Sequence, residues 1–240
     1  MRGSIIDGPG RRSALFVHGA GGGGWEWAIW QRVFAARGWR CAAPDLQPAA
    51  SGLAATRLED YAAQVKAWAR DADAGVWIGA SLGGLLALTC AQTAAPIALV
   101  LVNAMPPAAI IGSVAGVEYA EIVPWRSRRS LASTLRAMPD ADAAARLYAF
   151  RHWRDESGAA LAAATRGVAL ERPACATLVL ASADDAAIAA TASRRLAEWL
   201  GAEFRCLRGT SHVGPLLGRR AAQTARDVVD WLEGALPPAR

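Results

Sequence analysis

Cysteine, histidine and lysine are scarce in this chain of 240 residues, and the first two shortages exclude classes of site. None of the histidines stands at metal-ligand spacing from another, and the cysteines form no Cys-x-x-Cys pair. We therefore expect no metal site, and we expect reduced, buried thiols rather than a disulfide framework. The residues concerned are His18, His152 and His212, and Cys41, Cys90, Cys175 and Cys206.

Long apolar runs are also missing, although 53% of the residues are apolar. No run approaches the roughly 20 residues that span a bilayer. Residues 1–10 contain no continuous apolar stretch of the kind found in secretory signals. We therefore expect a cytoplasmic protein without a membrane span. The length suits one α/β domain that buries roughly three quarters of its unfolded surface.

The net charge of +5 comes almost entirely from arginine, because Lys66 is the only lysine. A nucleic-acid surface would need clustered basic residues interleaved with aromatic ones, or a recognisable binding module. The densest basic cluster, residues 126–129, is too short for that. The sequence therefore predicts no nucleic-acid partner.

Apolar runs of strand length alternate with segments of helix length, which is typical of a mostly parallel sheet covered by helices on both faces. Strands are expected at 14–17, 39–43, 76–78, 97–102, 177–181 and 204–207, with at most an edge strand at 4–6. Helices are expected at 26–37, 59–70, 82–94, 190–200 and 216–232. The predicted fold class is α/β.

The periodicity weakens in the middle of the chain. Residues 105–173 show helical patches at 131–137, 142–153 and 159–167 but no convincing strand. We interpret this segment as a small helical cap inserted into a core formed by residues 1–104 and 174–240. Such a cap is expected to cover the carboxyl edge of the sheet.

The most informative motif is Gly79-Ala80-Ser81-Leu82-Gly83. It has the form Gly-x-Ser-x-Gly and stands between an apolar strand and a helix. A serine at a sharp turn from strand to helix is held in a strained conformation with its hydroxyl exposed. The helix N-terminus that follows it directs free backbone N–H groups at an anion formed nearby.

Three further strand ends carry reactive side chains. They are His18-Gly19, Asp184-Asp185 and Ser211-His212, and the chain order is serine, aspartate, histidine. In open α/β sheets such groups meet at the carboxyl ends of the strands. The order and the strand contexts resemble the α/β-hydrolase family over nearly the whole chain. The resemblance implies that family's fold and a serine hydrolase that needs no cofactor.

The resemblance also implies a role for each catalytic candidate. Ser81 would be the nucleophile, His212 its general base, and Asp185 the carboxylate that orients the imidazole. Family members usually carry Gly-x-x-Asp-x-x-Val after the corresponding strand, which places the match on Asp185. Asp184 is the alternative for the third residue and is otherwise expected to be a turn or capping residue. A serine at position 81 excludes the relatives that use an aspartate nucleophile.

An oxyanion hole is expected from the backbone N–H groups of Ala20 and Leu82. His18, in the pair that resembles the family's His-Gly motif, is expected to brace the loop rather than to catalyse. The glycine run 21–24 that follows is either a flexible loop or a place where backbone approaches the acyl group.

The substrate is the least determined feature. The candidates for its contacts could equally be packing residues; they are Gly21, Trp25, Trp125, His152 and Trp153, with Trp27 and Trp30 as further aromatic candidates. The middle segment is also rich in arginine, which indicates a solvated helix face, an anionic substrate or a docking site for an acyl carrier protein.

The leading hypothesis is a serine hydrolase that cleaves a carboxylic ester or thioester of a small molecule through an acyl-enzyme. The same three residues could also serve C–C bond hydrolysis, a lyase reaction, perhydrolysis or cleavage of an ester carried by an acyl carrier protein. A hydrolase-like fold that only binds a small molecule is a third hypothesis, disfavoured because all three triad residues are present. The oligomeric state is left open.

Overall fold

A computed structural model describes residues 3–6, 12–111 and 117–237. Residues 1–2, 7–11, 112–116 and 238–240 lie outside this description, and with them most of the stretch 1–10 in which we expect no secretory signal. The strands are Gly3–Ile6 (β1), Ser13–Val17 (β2), Arg40–Pro44 (β3), Val76–Ala80 (β4), Ala98–Val102 (β5), Ile122–Val123 (β6), Glu156–Ser157 (β7), Ala176–Ser182 (β8) and Glu203–Leu207 (β9). The helices are Ala28–Ala36 (α1), Leu58–Asp71 (α2), Leu82–Cys90 (α3), Ala108–Ile111 (α4), Trp125–Arg128 (α5), Leu131–Ala137 (α6), Ala143–His152 (α7), Gly158–Arg166 (α8), Ala190–Leu200 (α9), Gly214–Leu217 (α10) and Ala221–Ala235 (α11).

Seven strands form one sheet in the order β1-β3-β2-β4-β5-β8-β9. Only β1 is antiparallel to its neighbour, and the other pairs are parallel. The central strand β5 reads Ala-Leu-Val-Leu-Val and is buried along its whole length, as expected of a parallel strand covered on both faces. The α/β fold class and its mostly parallel sheet are therefore confirmed.

The strand order reverses between β2 and β4. The chain leaves β2 for β3 on one side and then returns to β4 on the other. The loops that follow β2 and β4 consequently diverge, and this divergence opens a crevice at the carboxyl ends of the two strands. Gly19 follows β2 and Ser81 follows β4, so the two sequence motifs lie at this crevice.

Each face of the sheet has its own apolar core. Side chains alternate between the faces along every strand, so Phe16 packs with one core and Leu15 with the other. The first core contains the aromatic side chains of Trp27, Trp30 and Phe34 and is covered by α1 and α11. The second is covered by α2, α3 and α9. Because α3 is surrounded by this second core, it is apolar on all sides rather than amphipathic.

Two expected helices are divided in the structure. The expected helix 26–37 begins as a 3-10 turn, Gly24–Trp27, before the α-helical geometry of α1. The expected helix 216–232 is divided into α10 and α11, because Gly218 between them has extended backbone angles of φ −76° and ψ 170°. The apolar periodicity continues across both junctions, which is why it did not reveal them.

The segment between β5 and β8 contains helices α4–α8 and one short antiparallel pair of strands. β6 and β7 pair through only two residues each. The sequence suggested no strand within residues 105–173, and this expectation is wrong for these two short strands. A pair of two-residue strands gives no periodic signal. Residues 112–116 lie outside the described part of the segment. Its division from the core as a separate cap stays a prediction.

Burial of the thiols differs from the expectation for two cysteines. Cys41 and Cys90 are buried, as expected, and burial raises the pKa of both thiols. Cys175 is half-buried and Cys206, on the edge strand β9, is exposed. Within residues 3–6, 12–111 and 117–237, the structure has no helix long and apolar enough to cross a membrane. No group of three ligating side chains in these ranges is placed to hold a metal ion.

Candidate active site

Ser81 occupies a sharp turn between β4 and α3. Its φ of +51° and ψ of −119° are unusual for a residue with a side chain. The turn is held by the backbone, because the Ser81 N–H donates to the Val102 carbonyl at 3.0 Å. The Ser81 carbonyl in turn accepts from the Met105 N–H at 3.0 Å. A strained conformation of this kind persists only where the surrounding structure enforces it. Here the hydrogen bond to Val102, in β5, enforces it.

The glycines of the motif are required by close backbone approach. A Cβ on Gly79 would lie 2.4 Å from the Gly83 carbonyl oxygen, and one on Gly83 would lie 2.2 Å from that of Val17. Both distances are far below van der Waals contact. The helix can therefore start directly against β2 and β4 only if both positions lack a side chain.

His212 and Asp185 form a hydrogen-bonded pair. The distance from His212 Nδ1 to Asp185 Oδ2 is 2.7 Å, and the Asp185 side chain is shielded from solvent. The second carboxylate oxygen accepts from the backbone N–H groups of Ala187 and Ile188 at 2.7 and 2.9 Å. Both Asp185 oxygens thus have partners, and the imidazole is held through Nδ1, while Nε2 has no hydrogen-bond partner among the described residues.

Asp184 is exposed, and its backbone N–H donates to the Thr210 carbonyl at 3.2 Å. Of the two neighbouring aspartates, therefore, Asp185 is the one in contact with His212.

Ser81 and His212 line the same small cavity, of about 50 Å³, at the carboxyl edge of the sheet. Gly19 and Ala20 line it from the β2 side and Trp153 from the α7 side. Four strand ends that are far apart in the sequence therefore converge on one place. A nucleophile, a base and an orienting acid are the components that acyl transfer requires.

Two backbone N–H groups, in the residues that follow Gly19 and Ser81 of this cavity, have no acceptor among the described residues. They belong to Ala20, in the turn after β2, and to Leu82, the first residue of α3. The first N–H groups of a helix lack intrahelical partners and carry partial positive charge. The structure thus places unpaired donors at both positions from which an oxyanion hole was expected.

His18 is fully buried beneath the loop and is bonded through both ring nitrogens. The Leu46 N–H donates to its Nε2 at 2.9 Å, so Nδ1 carries the proton and donates to the Gly19 carbonyl at 2.8 Å. Burial, reinforced by the charge of Arg154, lowers the pKa of His18 to about 4. This neutral histidine fixes the backbone of the loop, as the sequence suggested.

The glycine run 21–24 is an ordered loop, fixed by carboxylates from other elements. The Gly24 N–H donates to Asp45 Oδ1 at 2.7 Å, and the Gly21 N–H donates to Glu156 Oε2 at 3.0 Å. Glu156 belongs to β7, in the segment between β5 and β8. The loop is therefore fastened both to the core and to this segment, which is contrary to a flexible loop.

Glu156 also ties α2 to the same place. Its Oε1 accepts from the Tyr61 hydroxyl at 2.6 Å and from the Ser157 N–H at 2.8 Å. Burial and the Glu156 charge raise the pKa of Tyr61, so this hydroxyl stays protonated and donates. The neighbouring Arg154 donates its backbone N–H to the Gly21 carbonyl at 2.8 Å and its side chain to the Leu46 carbonyl at 2.9 Å.

Glu26 is a buried carboxyl group that lines the cavity of Ser81 and His212. Burial raises its pKa to about 8, although the Gly23 N–H and the charge of Arg154 act in the opposite direction. At neutral pH it is therefore predominantly a neutral acid. Sequence reasoning did not identify Glu26, because a glutamate after a glycine run has the pattern of an ordinary helix start.

The turn that carries His212 has two anchors that the sequence did not reveal. Asn103, at the end of β5, donates to the His212 carbonyl at 2.7 Å and accepts from the Ser182 N–H at 2.7 Å. Asp140 accepts from the Ser211 hydroxyl at 2.6 Å. Asn103 could have been noticed as a polar residue that ends an apolar strand. Asp140 lies 71 residues from Ser211 and offers no such signal.

The candidate substrate contacts fall into two groups. Gly21, Trp125 and Trp153 line a second, larger cavity of about 320 Å³, which shares Ala20, Trp153 and Val213 with the first. A Cβ on Gly21 would lie 2.4 Å from the Trp125 ring, so only glycine allows that ring to cover the loop.

The other aromatic candidates line neither of these two cavities. Trp25 packs against Trp153 and His152, with ring centroids 5.3 and 5.6 Å apart, and His152 stacks on Tyr148 at 4.0 Å. Trp27 and Trp30 are completely buried in the core. Packing therefore accounts for all four of these aromatic residues.

Comparison with known proteins agrees with the fold. The model of the alpha/beta hydrolase family matches residues 14–227, which is most of the chain. None of the curated proteins matches the sequence.

Solved structures share the fold at low sequence identity. A thermophilic esterase from Thermogutta terrifontis, studied with malate bound, has a TM-score of 0.72 at 15% identity, with 97% of this chain and 93% of that chain covered. The monoacylglycerol lipase of Paleococcus ferrophilus has a TM-score of 0.69 at 17% identity, with 97% and 98% covered. A putative non-heme bromoperoxidase, BpoC of Mycobacterium tuberculosis, has a TM-score of 0.71 at 16% identity, with 99% and 97% covered.

Proposed function

Because the chain belongs to the alpha/beta hydrolase family, and is thus a hydrolase, we propose that it cleaves carboxylic esters or thioesters through an acyl-enzyme on Ser81. His212 acts as the general base and Asp185 holds its imidazole. The observation that carries the proposal is the 2.7 Å bond between His212 Nδ1 and Asp185 Oδ2, beside a cavity that Ser81 and His212 both line.

The reaction proceeds in two halves on these residues. Ser81 Oγ attacks the carbonyl carbon while His212 Nε2 takes the hydroxyl proton. The imidazolium then returns the proton to the departing alcohol or thiol, and the acyl group stays on Ser81. A water, deprotonated by His212 Nε2, then attacks the acyl carbonyl carbon, and the proton passes from the imidazolium to Ser81 Oγ as the acid is released. Asp185 keeps the proton of Nδ1 in place and stabilises the imidazolium without taking that proton.

The negative charge that develops on the carbonyl oxygen is stabilised by backbone donors. The N–H groups of Ala20 and Leu82, which have no acceptor among the described residues, supply them. Donors that are already oriented need no reorganisation during the reaction, and each contributes about 3–4 kcal/mol to transition-state stabilisation. The bonds that fix Gly21 and Gly24 keep the Ala20 side of this hole in position.

Residues 105–173 act in this proposal as a cap over the carboxyl edge of the sheet. The support is that Trp125 and Trp153 come from this segment and line the larger cavity beside Ser81. The acyl carrier protein that the arginine-rich sequence suggested as a partner receives no support from the comparisons. We propose small-molecule substrates.

The test is a Ser81→Ala variant, assayed with short 4-nitrophenyl esters and with a fluorophosphonate probe. We expect the variant to fold, to lose hydrolysis by at least about 10⁴-fold and to lose labelling. Ser51→Ala, which changes an exposed serine outside the cavity, is the matched control and should behave as the wild type.

Labelling of Ser81→Ala at the wild-type level would overturn the assignment of the nucleophile. A panel that adds C–C bond and perhydrolysis substrates tests the other reactions open to the same triad. Turnover of these substrates in preference to esters would overturn the proposed reaction while leaving the roles of the three residues intact.

A further inference from the structure

The larger cavity is lined by both apolar and basic side chains. They include Trp125, Trp153 and Val213 on the one hand and Arg128 and Arg129 on the other, and Trp153 and Val213 also line the cavity of Ser81. No aspartate or glutamate belongs to its lining among the described residues. In a cleft, positive side chains without a counter-charge attract an anion, and half-buried Arg129 does so more than exposed Arg128.

Arg129 is held in position with donors to spare. Its guanidinium lies 5.1 Å from the centroid of the Phe150 ring, and Nη1 donates to the Arg126 carbonyl. Nε is buried and has no hydrogen-bond partner in the described ranges. Within those ranges neither Arg128 nor Arg129 forms an ion pair with a carboxylate. An arginine fixed by stacking loses little further freedom when it binds a carboxylate.

Thr134 is a second and independent polar residue in the lining of this cavity. It is only 2% exposed, and its hydroxyl has no hydrogen-bond partner in the described part of the chain. A buried hydroxyl without a partner is costly, so such groups in folded proteins commonly meet a ligand or water. Thr134 lines the same cavity as the two arginines.

We propose that the substrate ester carries a carboxylate at the end of its acyl chain, bound by Arg129 and Arg128 with the Thr134 hydroxyl as a further donor. This inference rests on the proposed function, since it assigns the acyl chain to the cavity next to Ser81. The apolar walls take the methylene groups of the chain. The planar guanidinium suits a carboxylate, with which it forms two parallel hydrogen bonds.

The experiment compares two esters of equal chain length, 4-nitrophenyl hexanoate and the mono-4-nitrophenyl ester of adipic acid. The wild type is expected to have the higher kcat/KM for the adipate ester. Arg129→Gln should lower kcat/KM for the adipate ester by about 10- to 100-fold, chiefly through a higher KM. The same substitution should leave kcat/KM for the hexanoate ester within about 2-fold of the wild-type value. Thr134→Val should show the same selectivity with a smaller loss.

Arg126→Gln is the matched control, because Arg126 is exposed and its side chain does not line the cavity. It should leave kcat/KM for both esters unchanged. Free adipate and inorganic phosphate are then compared as inhibitors of the hydrolysis of the hexanoate ester, which distinguishes a carboxylate site from a phosphate site. Stronger inhibition by adipate is expected. Stronger inhibition by phosphate would overturn the assignment to a carboxylate.

The failure of this inference is distinguishable from the failure of the proposed function. Equal losses for both esters in Arg129→Gln, or a wild type that prefers hexanoate, would overturn the anion site while Ser81 stays the nucleophile. If the wild type hydrolyses neither ester, calorimetry with free adipate decides. Binding that is lost in Arg129→Gln supports the anion site, and absence of binding overturns it.

Discussion

Two parts of the molecule meet at the candidate active site, and they are packed differently. The strand ends around Ser81 are enclosed by side chains with no exposure, such as Leu82 and Leu101. In the segment between β5 and β8, by contrast, many large apolar side chains reach the solvent. Of the nine such exposed side chains in the described residues, eight lie there: Val117, Tyr119, Ile122, Trp125, Leu131, Leu135, Leu147 and Tyr148.

Apolar packing and polar contacts both join the two parts. Buried apolar side chains of the segment, such as Met138, Ala149 and Ala164, belong to the two cores of the sheet. At the site itself polar contacts are added, from Glu156 to Gly21 and Tyr61, and from Asp140 to the turn of His212. The reactive groups thus stand at the ends of the packed strands, and the segment between β5 and β8 presents the more exposed surface beside them.

The largest expected effect concerns the two neighbouring aspartates at the rigid site. Asp185→Asn should lower kcat by about 10³- to 10⁴-fold, because the amide no longer holds the required tautomer of His212. Asp184→Asn should leave kcat within about 2-fold, since Asp184 is exposed and has no contact with the imidazole. Steady-state kinetics on a short ester measures both. Equal losses of kcat in the two variants would show that the hydrogen bond between Asp185 and His212 is not the one on which catalysis depends.

Glu26 provides the largest expected effect on stability. Its pKa of about 8 lies above the ordinary value of 4.5, so between these pH values the folded protein keeps a proton that the unfolded chain has lost. The free energy of unfolding therefore falls as pH rises through this window, by up to about 5 kcal/mol.

Glu26→Gln should remove this dependence on pH. Relative to the wild type, the variant should become more stable as pH rises from 5 to 9, as measured by denaturant unfolding across this range. Glu118→Gln, which changes an exposed glutamate that does not line the cavity of Ser81, is the control. Parallel pH curves for the wild type and Glu26→Gln would contradict a protonated Glu26.

The difference in packing can be tested with the same substitution in both parts. Leu101 is completely buried in β5, whereas Leu135 in α6 is 48% exposed. Leu101→Ala should lower the free energy of unfolding by about 2–5 kcal/mol through lost burial and a cavity. Leu135→Ala should change it by about 0.5 kcal/mol or less. Comparable losses of unfolding free energy at the two positions would mean that Leu135 packs against another surface in solution.

The polar junction should respond more moderately. Glu156→Gln weakens the bonds to Gly21 and Tyr61 and should lower the free energy of unfolding by about 1–3 kcal/mol. Because the loop that carries Ala20 loses its anchor, kcat should fall about 10-fold as well. Glu121→Gln, which changes an exposed carboxylate near β6, is the control. Loss of stability without loss of kcat would show that Glu156 does not position the loop.

Much of the core could be predicted from local patterns. The strands β2, β4, β5 and β8 are largely apolar runs of strand length, and the residues of the candidate triad follow β4, β8 and β9. The two-residue strands β6 and β7 and the break at Gly218 could not be predicted, because neither interrupts a periodic pattern. The same applies to Trp25 and His152, whose sequence positions suit a pocket wall but whose rings pack against each other.

The sequence by itself determined the family, the order of the strands along the chain and the residues that stand at their ends. These depend on local periodicity and on glycines such as Gly79 and Gly83, whose small size the turn requires. Only the tertiary structure decided that Asp185 rather than Asp184 meets His212, that Glu26 is buried and protonated, and that Glu156 fastens the glycine loop. Each of these depends on the burial and distance of residues far apart in the chain, which local patterns do not record.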